Sequence, residues 1–332
     1  MDFGERIAEV CIMAALVAIG VLWNASNLVV IVQHLWKTSG YQTVGLIISS
    51  ISVSNVFLEL SMLGMVVSVW AGVICLTELH PFPKAATIVW IQSNCMSFWS
   101  IAWLSVYYCV KVTSVSGALL GKLKRNISPL INAALLLTTL CSFAVFVPFF
   151  GLHFPPRNGI VANETRNATC TIDKLIFPAW VNIGIYGYFL VLILCIVPLL
   201  VMLPTSLRLV AHLCRHTLAM NKSKNQFQGT DSYLLVCKLT VSLVGVYLIT
   251  LAIVCLFFID QAATKRFGFD IIALGCSFYS IVTGILLTVS NKYLKEKLWA
   301  VFCWRKSPGP VITSQSEDTR DTMAIVSQSP LS

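Results

Sequence analysis

SFWSIAWLSVYYCVK, residues 97–111, carries no formal charge until its final lysine. Such a run belongs either to the interior of a soluble fold or to the last half of a helix that crosses a bilayer and meets water at Lys111. The rest of the chain decides. Its 332 residues are 57% hydrophobic and 11% charged, where a soluble domain has about 25% charged residues. A soluble fold of this size would lack the polar surface to cover itself, whereas lipid solvates the outside of a membrane protein. The composition predicts a polytopic, all-α membrane protein.

Working outward from 97–111, apolar stretches long enough to span about 30 Å at about 1.5 Å per residue occur seven times. They fall near 7–33, 44–76, 86–110, 127–150, 179–207, 233–259 and 268–290. The second is long enough to tilt or to project beyond the bilayer. Pro198 and Pro204 predict kinks in the fifth, with freed backbone groups finding partners inside the bundle. The start, MDFGERIAEVC, is acidic and lacks the basic region of a cleavable signal, so the first span is expected to be retained.

Charge sets the expected orientation. Segments 34–43, 111–126, 208–238 and 291–332 hold 16 of the 23 Lys and Arg residues. The positive-inside rule then predicts an extracellular N-terminus and a cytoplasmic C-terminus, with Lys111 marking the cytosolic exit of span 3. The glycosylation sequons at Asn163 and Asn167 fall in the loop after span 4, expected outside. The matches at Asn24, Asn126 and Asn221 fall in a span or on the inner side, and read as chance.

After span 7, NKYLKEKLWAVFCWRK (291–306) reads as a short amphipathic helix along the inner leaflet, with Leu294, Leu298, Trp299 and Phe302 on one face. Cys303 there is a candidate for palmitoylation or a plain thiol. The chain thus divides into a membrane domain, 1–306, and a disordered cytoplasmic tail, 307–332, rich in Ser, Thr, Pro and acidic residues. The twelve cysteines lie mostly inside apolar runs, with no zinc spacing, and read as packing residues. Cys75 and Cys170, near expected outer loops, are the one candidate disulfide pair; Cys75 also falls within reach of helix 2, where it would simply pack.

Several stretches resemble the bitter taste receptor family, the type 2 taste receptors. FWSIAWLSVYYCVKVTSVS (98–116), followed by LLGKLKRNIS (119–128), is the most specific of them. LPTSLRLVAHLCRHTLAM (203–220), CKLTVSLVGVY (237–247) and LLTVSNKYLKEKL (286–298) resemble the family's spans 5, 6 and 7, in order. The resemblance implies a seven-transmembrane bundle of the G-protein-coupled receptor fold, a small-molecule agonist, and a gustducin-like G protein of the inhibitory class. Three departures mark a divergent, non-mammalian member. Asn55, in ISVSN, stands where the family has a span 2 arginine, Thr283-Gly284 stands where it has His-Ser, and the tail is long. Asn55 with Asn27 of span 1 offers a neutral hydrogen-bonded cluster in the arginine's place, and Asn291 matches the family's asparagine at the end of span 7.

The candidate sites follow. Trp90 and Asn94, at i and i+4, share a face of span 3. That pair is either a stacking surface with a polar anchor for a small organic molecule, or an interface tryptophan above a packing asparagine. The resemblance places both in the agonist pocket, together with Tyr186, Thr250 and Ala273, the alanine favouring apolar ligands. Glu59 is the acidic residue deep in a span, a functional candidate or a carboxylate paired with a polar neighbour. His212 and His216 are also i, i+4 but lack a third metal ligand. By the resemblance, Tyr108, Lys111, Arg215, His216, Met220 and Lys238 face the G protein, a basic rim with apolar anchors suited to a partner helix. No cofactor, metal or nucleic-acid partner is expected. A vomeronasal type 1-like pheromone receptor is the alternative in the same fold, with a poorer match in spans 3 and 6. A transporter or channel would call for internal repeats and midplane charges; no internal repeat occurs, and Glu59 is nearly alone. An enzyme would need paired aspartates, a Ser/His pair or HExxH, and none occurs.

Overall fold

The computed structural model describes residues 3–37, 42–70, 81–113, 118–151, 178–221, 230–263 and 269–302. Seven helices among these are long and apolar enough to cross a membrane: Val10–Lys37, Thr43–Ser68, Pro81–Val112, Ile127–Val145, Gly184–Arg215, Leu235–Leu256 and Ile271–Ser290. They are spans 1 to 7 below. The described part of the second helix ends at Trp70, so Cys75, Cys170, Asn163, Asn167 and Cys303 all lie outside the described residues.

Spans 2, 3 and 7 form the interior. Span 3 packs against spans 2, 4 and 5, and span 7 against spans 6, 1 and 2, which closes the ring. The common core runs through Ile51, Leu58, Met62, Phe98, Ile101, Met202, Leu243, Tyr247, Ala273, Tyr279 and Leu287. Span 4 leans on the outside and turns Leu136, Leu137, Leu140 and Phe143 outward. In water such a surface would promote association; hydrocarbon solvates it. Polar links tie span 4 to span 3 nonetheless: Trp103 Nε1 donates to Thr138 Oγ1 at 3.1 Å and Gln92 Nε2 to Ser142 Oγ at 2.6 Å. Two glycines permit close helix approach. A Cβ on Gly275 would meet Ile253 Cγ2 of span 6 at 2.9 Å, and one on Gly284 would meet Asn24 Oδ1 of span 1 at 3.0 Å.

Proline shapes spans 4 and 5. Pro148 lies just past the end of span 4, where the helix breaks at Phe146 and resumes as the single turn Val147–Phe150. Span 5 begins as Ile183–Val191, capped by the Asn182 side chain, widens to a π-helical turn at Leu192–Ile196, and continues as Val197–Asn221. Pro198 has no N–H to give the Leu194 carbonyl. The Val197 N–H bonds to Leu192 O, five residues back. The freed carbonyls find a donor in span 6, where the Tyr247 hydroxyl donates to Cys195 O at 2.5 Å and lies 3.4 Å from Leu194 O. The expectation of an internal partner for these groups is met by this one side chain. Tyr247→Phe keeps the ring and leaves both carbonyls without that donor. It is expected to cost about 1–2 kcal/mol, read as a fall of a few degrees in the melting temperature of purified protein, and an unchanged melt would deny the link.

Beyond span 7, Asn291 caps the helix Lys292–Phe302, its Oδ1 accepting from Leu294 N at 3.3 Å. Leu294 and Leu298 are buried against spans 1 and 7, and His34 of span 1 stacks on Tyr293 with ring centroids 4.3 Å apart. The single apolar face expected from the sequence is therefore split. The leucines turn into the bundle, while Trp299 is exposed, and the Phe302 side chain lies outside the described residues. The segment between spans 3 and 4, assigned inside from its charge, holds a short helix, Ala118–Arg125, with Lys122, Lys124 and Arg125 in its last turn.

Candidate functional site

The interior holds a neutral polar network. Asn24, Asn27 and Asn55 are each fully buried. Asn55 Nδ2 donates to Asn24 Oδ1 at 3.2 Å, and Asn55 Oδ1 accepts from Ser97 Oγ of span 3 at 2.8 Å. Ser97 Oγ in turn lies 2.8 Å from the Tyr279 hydroxyl of span 7. Asn24 Nδ2 donates to Gly20 O and to the carbonyl and hydroxyl of Ser280. Asn27 donates to Gly284 O at 3.0 Å and accepts from Thr288 Oγ1 at 2.8 Å, while Trp23 Nε1 also donates to Thr288 Oγ1. Amide side chains at 24 and 27 stand three residues apart and so share one helix face. Four spans are joined by neutral groups whose donors and acceptors pair, which is what a low-dielectric interior requires.

The pairing expected between Asn55 and Asn27 is not among the hydrogen bonds of these two side chains. Asn55 meets Asn24, and Asn27 joins through Gly284 and Thr288. Asn24, read from the sequence as a chance sequon match, is buried and bonded to Asn55 and Ser280; its three-residue spacing from Asn27 was the available signal. Ser97, Tyr247 and Tyr279 were missed as well. Phe98 sits between the two tyrosines, with centroids 4.9 Å from Tyr247 and 5.0 Å from Tyr279, both edge-on. This aromatic stack joins spans 3, 6 and 7, and the tyrosine hydroxyls extend it to the span 5 carbonyls at one end and to Ser97 and Asn55 at the other.

Glu59 is almost fully buried in span 2, its Oε2 accepting from Ser277 Oγ at 2.8 Å. Its Oε1 has no hydrogen-bond partner among the described residues.

The expected pocket residues separate into two groups. Trp90 is half-buried and packs against the main core, which includes Cys276 of span 7. Asn94 is buried one turn on and donates to the Trp90 carbonyl at 2.9 Å. Ala273, three residues before Cys276, is fully enclosed in the same core. Thr250 of span 6 is buried, with its hydroxyl turned back to Val246 O at 2.9 Å. Tyr186 goes elsewhere. Its hydroxyl donates to Val145 O at 2.9 Å and its ring packs on Phe149, in a separate cluster with Cys95 and Phe146 at the seam of spans 3, 4 and 5.

At the other end of span 3, Lys111 is exposed, donates to the Tyr107 hydroxyl at 2.9 Å, and lies 5.2 Å from that ring's centroid. Tyr108 is half-buried beside Tyr107. Arg215 and Lys238 are exposed at the corresponding ends of spans 5 and 6. His216 and Met220 continue the span 5 helix, but their side chains lie outside the described residues. Among the described residues no three His, Cys, Asp or Glu side chains converge as a metal site.

Comparison with known proteins places this geometry in a family. A relative from Gallus gallus, taste receptor type 2 member 40, is 29% identical over 216 residues, covering 63% of this chain and 66% of the relative. Taste receptor type 2 member 1 of Chlorocebus aethiops is 24% identical over 300 residues, covering 87% of this chain and 93% of the relative. Human taste receptor type 2 member 39 is 26% identical over 222 residues, covering 64% of this chain and 62% of the relative. The divergence expected from the sequence agrees with these identities. The sequence model of the taste receptor protein family (TAS2R) matches residues 2–306, nearly the whole chain. This seven-span bundle therefore belongs to the taste receptor family and is a receptor, not an enzyme.

Proposed function

We propose that the protein is a G-protein-coupled receptor for small, mostly apolar, bitter-tasting organic molecules, and that it signals through a gustducin-like G protein of the inhibitory class. It stands in the plasma membrane with its N-terminus outside. The observation that carries the reading is the packing of Trp90 of span 3 against the core that holds Ala273 and Cys276 of span 7, beside Asn94, in a chain that matches the taste receptor family over residues 2–306. An aromatic wall, an enclosed alanine and one polar side chain suit an apolar ligand with a single polar anchor. Thr250 borders this site; Tyr186 closes the seam behind it. Affinities in so broad a site are micromolar, about −8 kcal/mol.

Signalling follows from the wiring below the site. An agonist shifts the population only by its difference in affinity between two conformers. A ligand wedged between Trp90 and span 7 presses on the layer of Asn94 and Cys276, which one turn deeper continues into Phe98 and Tyr279, with Tyr247 packed on Phe98. Tyr247 holds the π-turn of span 5, so a shift of that ring moves spans 5 and 6 together. Their far ends, with Tyr108, Lys111, Arg215, His216, Met220 and Lys238, form the mouth that receives the G protein. In cells carrying a promiscuous G-protein chimera, a panel of bitter compounds should raise calcium; silence across a broad panel would oppose the reading.

The same topology predicts glycans at Asn163 and Asn167. Glycosidase treatment should shift the gel mobility of the wild type and not of the Asn163→Gln, Asn167→Gln double variant. A shift that persists in the double variant would contradict the assignment of that loop.

A further inference from the structure

The geometry points to a binding site for one monovalent inorganic cation, sodium, held by the Glu59 carboxylate between spans 1, 2 and 7. Three observations meet there. The carboxylate is 1% exposed, and Oε1 has no partner among the described residues. The hydroxyls of Ser277 and Ser280, both fully buried on span 7, face the same carboxylate, Ser277 at 2.8 Å. Span 1 presents Gly20, and a Cβ at that position would run into the carboxylate, so Oε1 can lie against span 1 because the residue is glycine.

An unpaired carboxylate in a low-dielectric interior is costly, and no cationic side chain is paired with it among the described residues. Either a proton or a cation neutralises it. A proton on Oε2 could donate to the Ser277 hydroxyl, but it would leave Oε1 still without a partner. A cation instead takes Oε1 and the spare lone pairs of the serine hydroxyls together. The donors are all hard oxygens, which select an alkali or alkaline-earth ion over a transition metal. A single carboxylate balances one positive charge; a divalent ion would leave an excess charge inside the membrane. The occupant would bind spans 1, 2 and 7 together beside the asparagine network. This holds whatever agonist the receptor takes.

The test is thermal unfolding of the purified, agonist-free receptor in lipid nanodiscs, with sodium chloride exchanged for choline chloride at constant ionic strength and pH. Sodium should raise the wild-type melting temperature by about 2–4 °C in a saturable way. Glu59→Gln should melt at one temperature in both salts, and Ser277→Ala should need several-fold more sodium for the same rise. No sodium-specific rise in the wild type would overturn the proposal, as would a rise retained in Glu59→Gln or an unchanged sodium midpoint in Ser277→Ala. Equal stabilisation on acidification in choline would assign the place to a proton and overturn it too. A receptor that is silent to every bitter compound yet responds to sodium would sink the agonist reading and leave this one standing.

Discussion

Trp90→Ala is expected to abolish the response to most agonists while surface expression is unchanged. The indole is half-buried and packs against the core that holds Ala273 and Cys276 of span 7. Truncation removes the stacking surface and leaves Asn94, whose amide donates to the Trp90 backbone carbonyl, in its present orientation. A buried aromatic anchor contributes about 2–4 kcal/mol to a complex, a loss of roughly 30- to 1,000-fold in potency. Starting from micromolar affinity, that takes most compounds out of a measurable range. Dose–response curves alongside surface labelling separate lost binding from lost folding. An unchanged curve would remove Trp90 from the pocket.

Asn24→Leu should destabilise the receptor more than any other single change in the polar core. Its side chain links Gly20, Asn55 and Ser280, and so ties three spans. Leucine would leave the Asn55 amide group and Ser280 without that partner, and would press a branched chain toward Gly284, where even a Cβ approaches Asn24 at 3.0 Å. Interhelical hydrogen bonds in membranes average about 0.6 kcal/mol with a maximum near 1.7, and the orphaned groups add to the loss. About 2–3 kcal/mol in total corresponds to a fall of roughly 4–10 °C in melting temperature. A melt within a degree of wild type would show that the network contributes no stability.

The fold was largely legible because its causes are local. Seven apolar runs, the end of span 3 near Lys111 and the short helix after span 7 each follow from neighbours in sequence. The interior was less so, because its partners come from distant spans. The span 5 kink was expected from Pro198, but its form as a π-turn depends on Tyr247, about fifty residues away. Asn24 announced itself as a sequon and a spacing, neither of which names Asn55 or Ser280 as its partner. Tyr186 reads from the sequence as one more aromatic on span 5, and only the break at Pro148 puts the Val145 carbonyl within its reach. The split face of Lys292–Phe302 has a similar origin. An isolated amphipathic helix would lay all its apolar residues in lipid, whereas here the ends of spans 1 and 7 offer Leu294 and Leu298 a protein surface.

The account as a whole rests on a bundle whose Trp90 end faces the exterior and whose Lys111 end faces the cytoplasm. Epitope tags at the two termini of the full chain, labelled with antibody on living cells, test this directly. The N-terminal tag should label on intact cells and a tag after Ser332 only once they are permeabilised. Labelling of the C-terminal tag on intact cells would contradict the account.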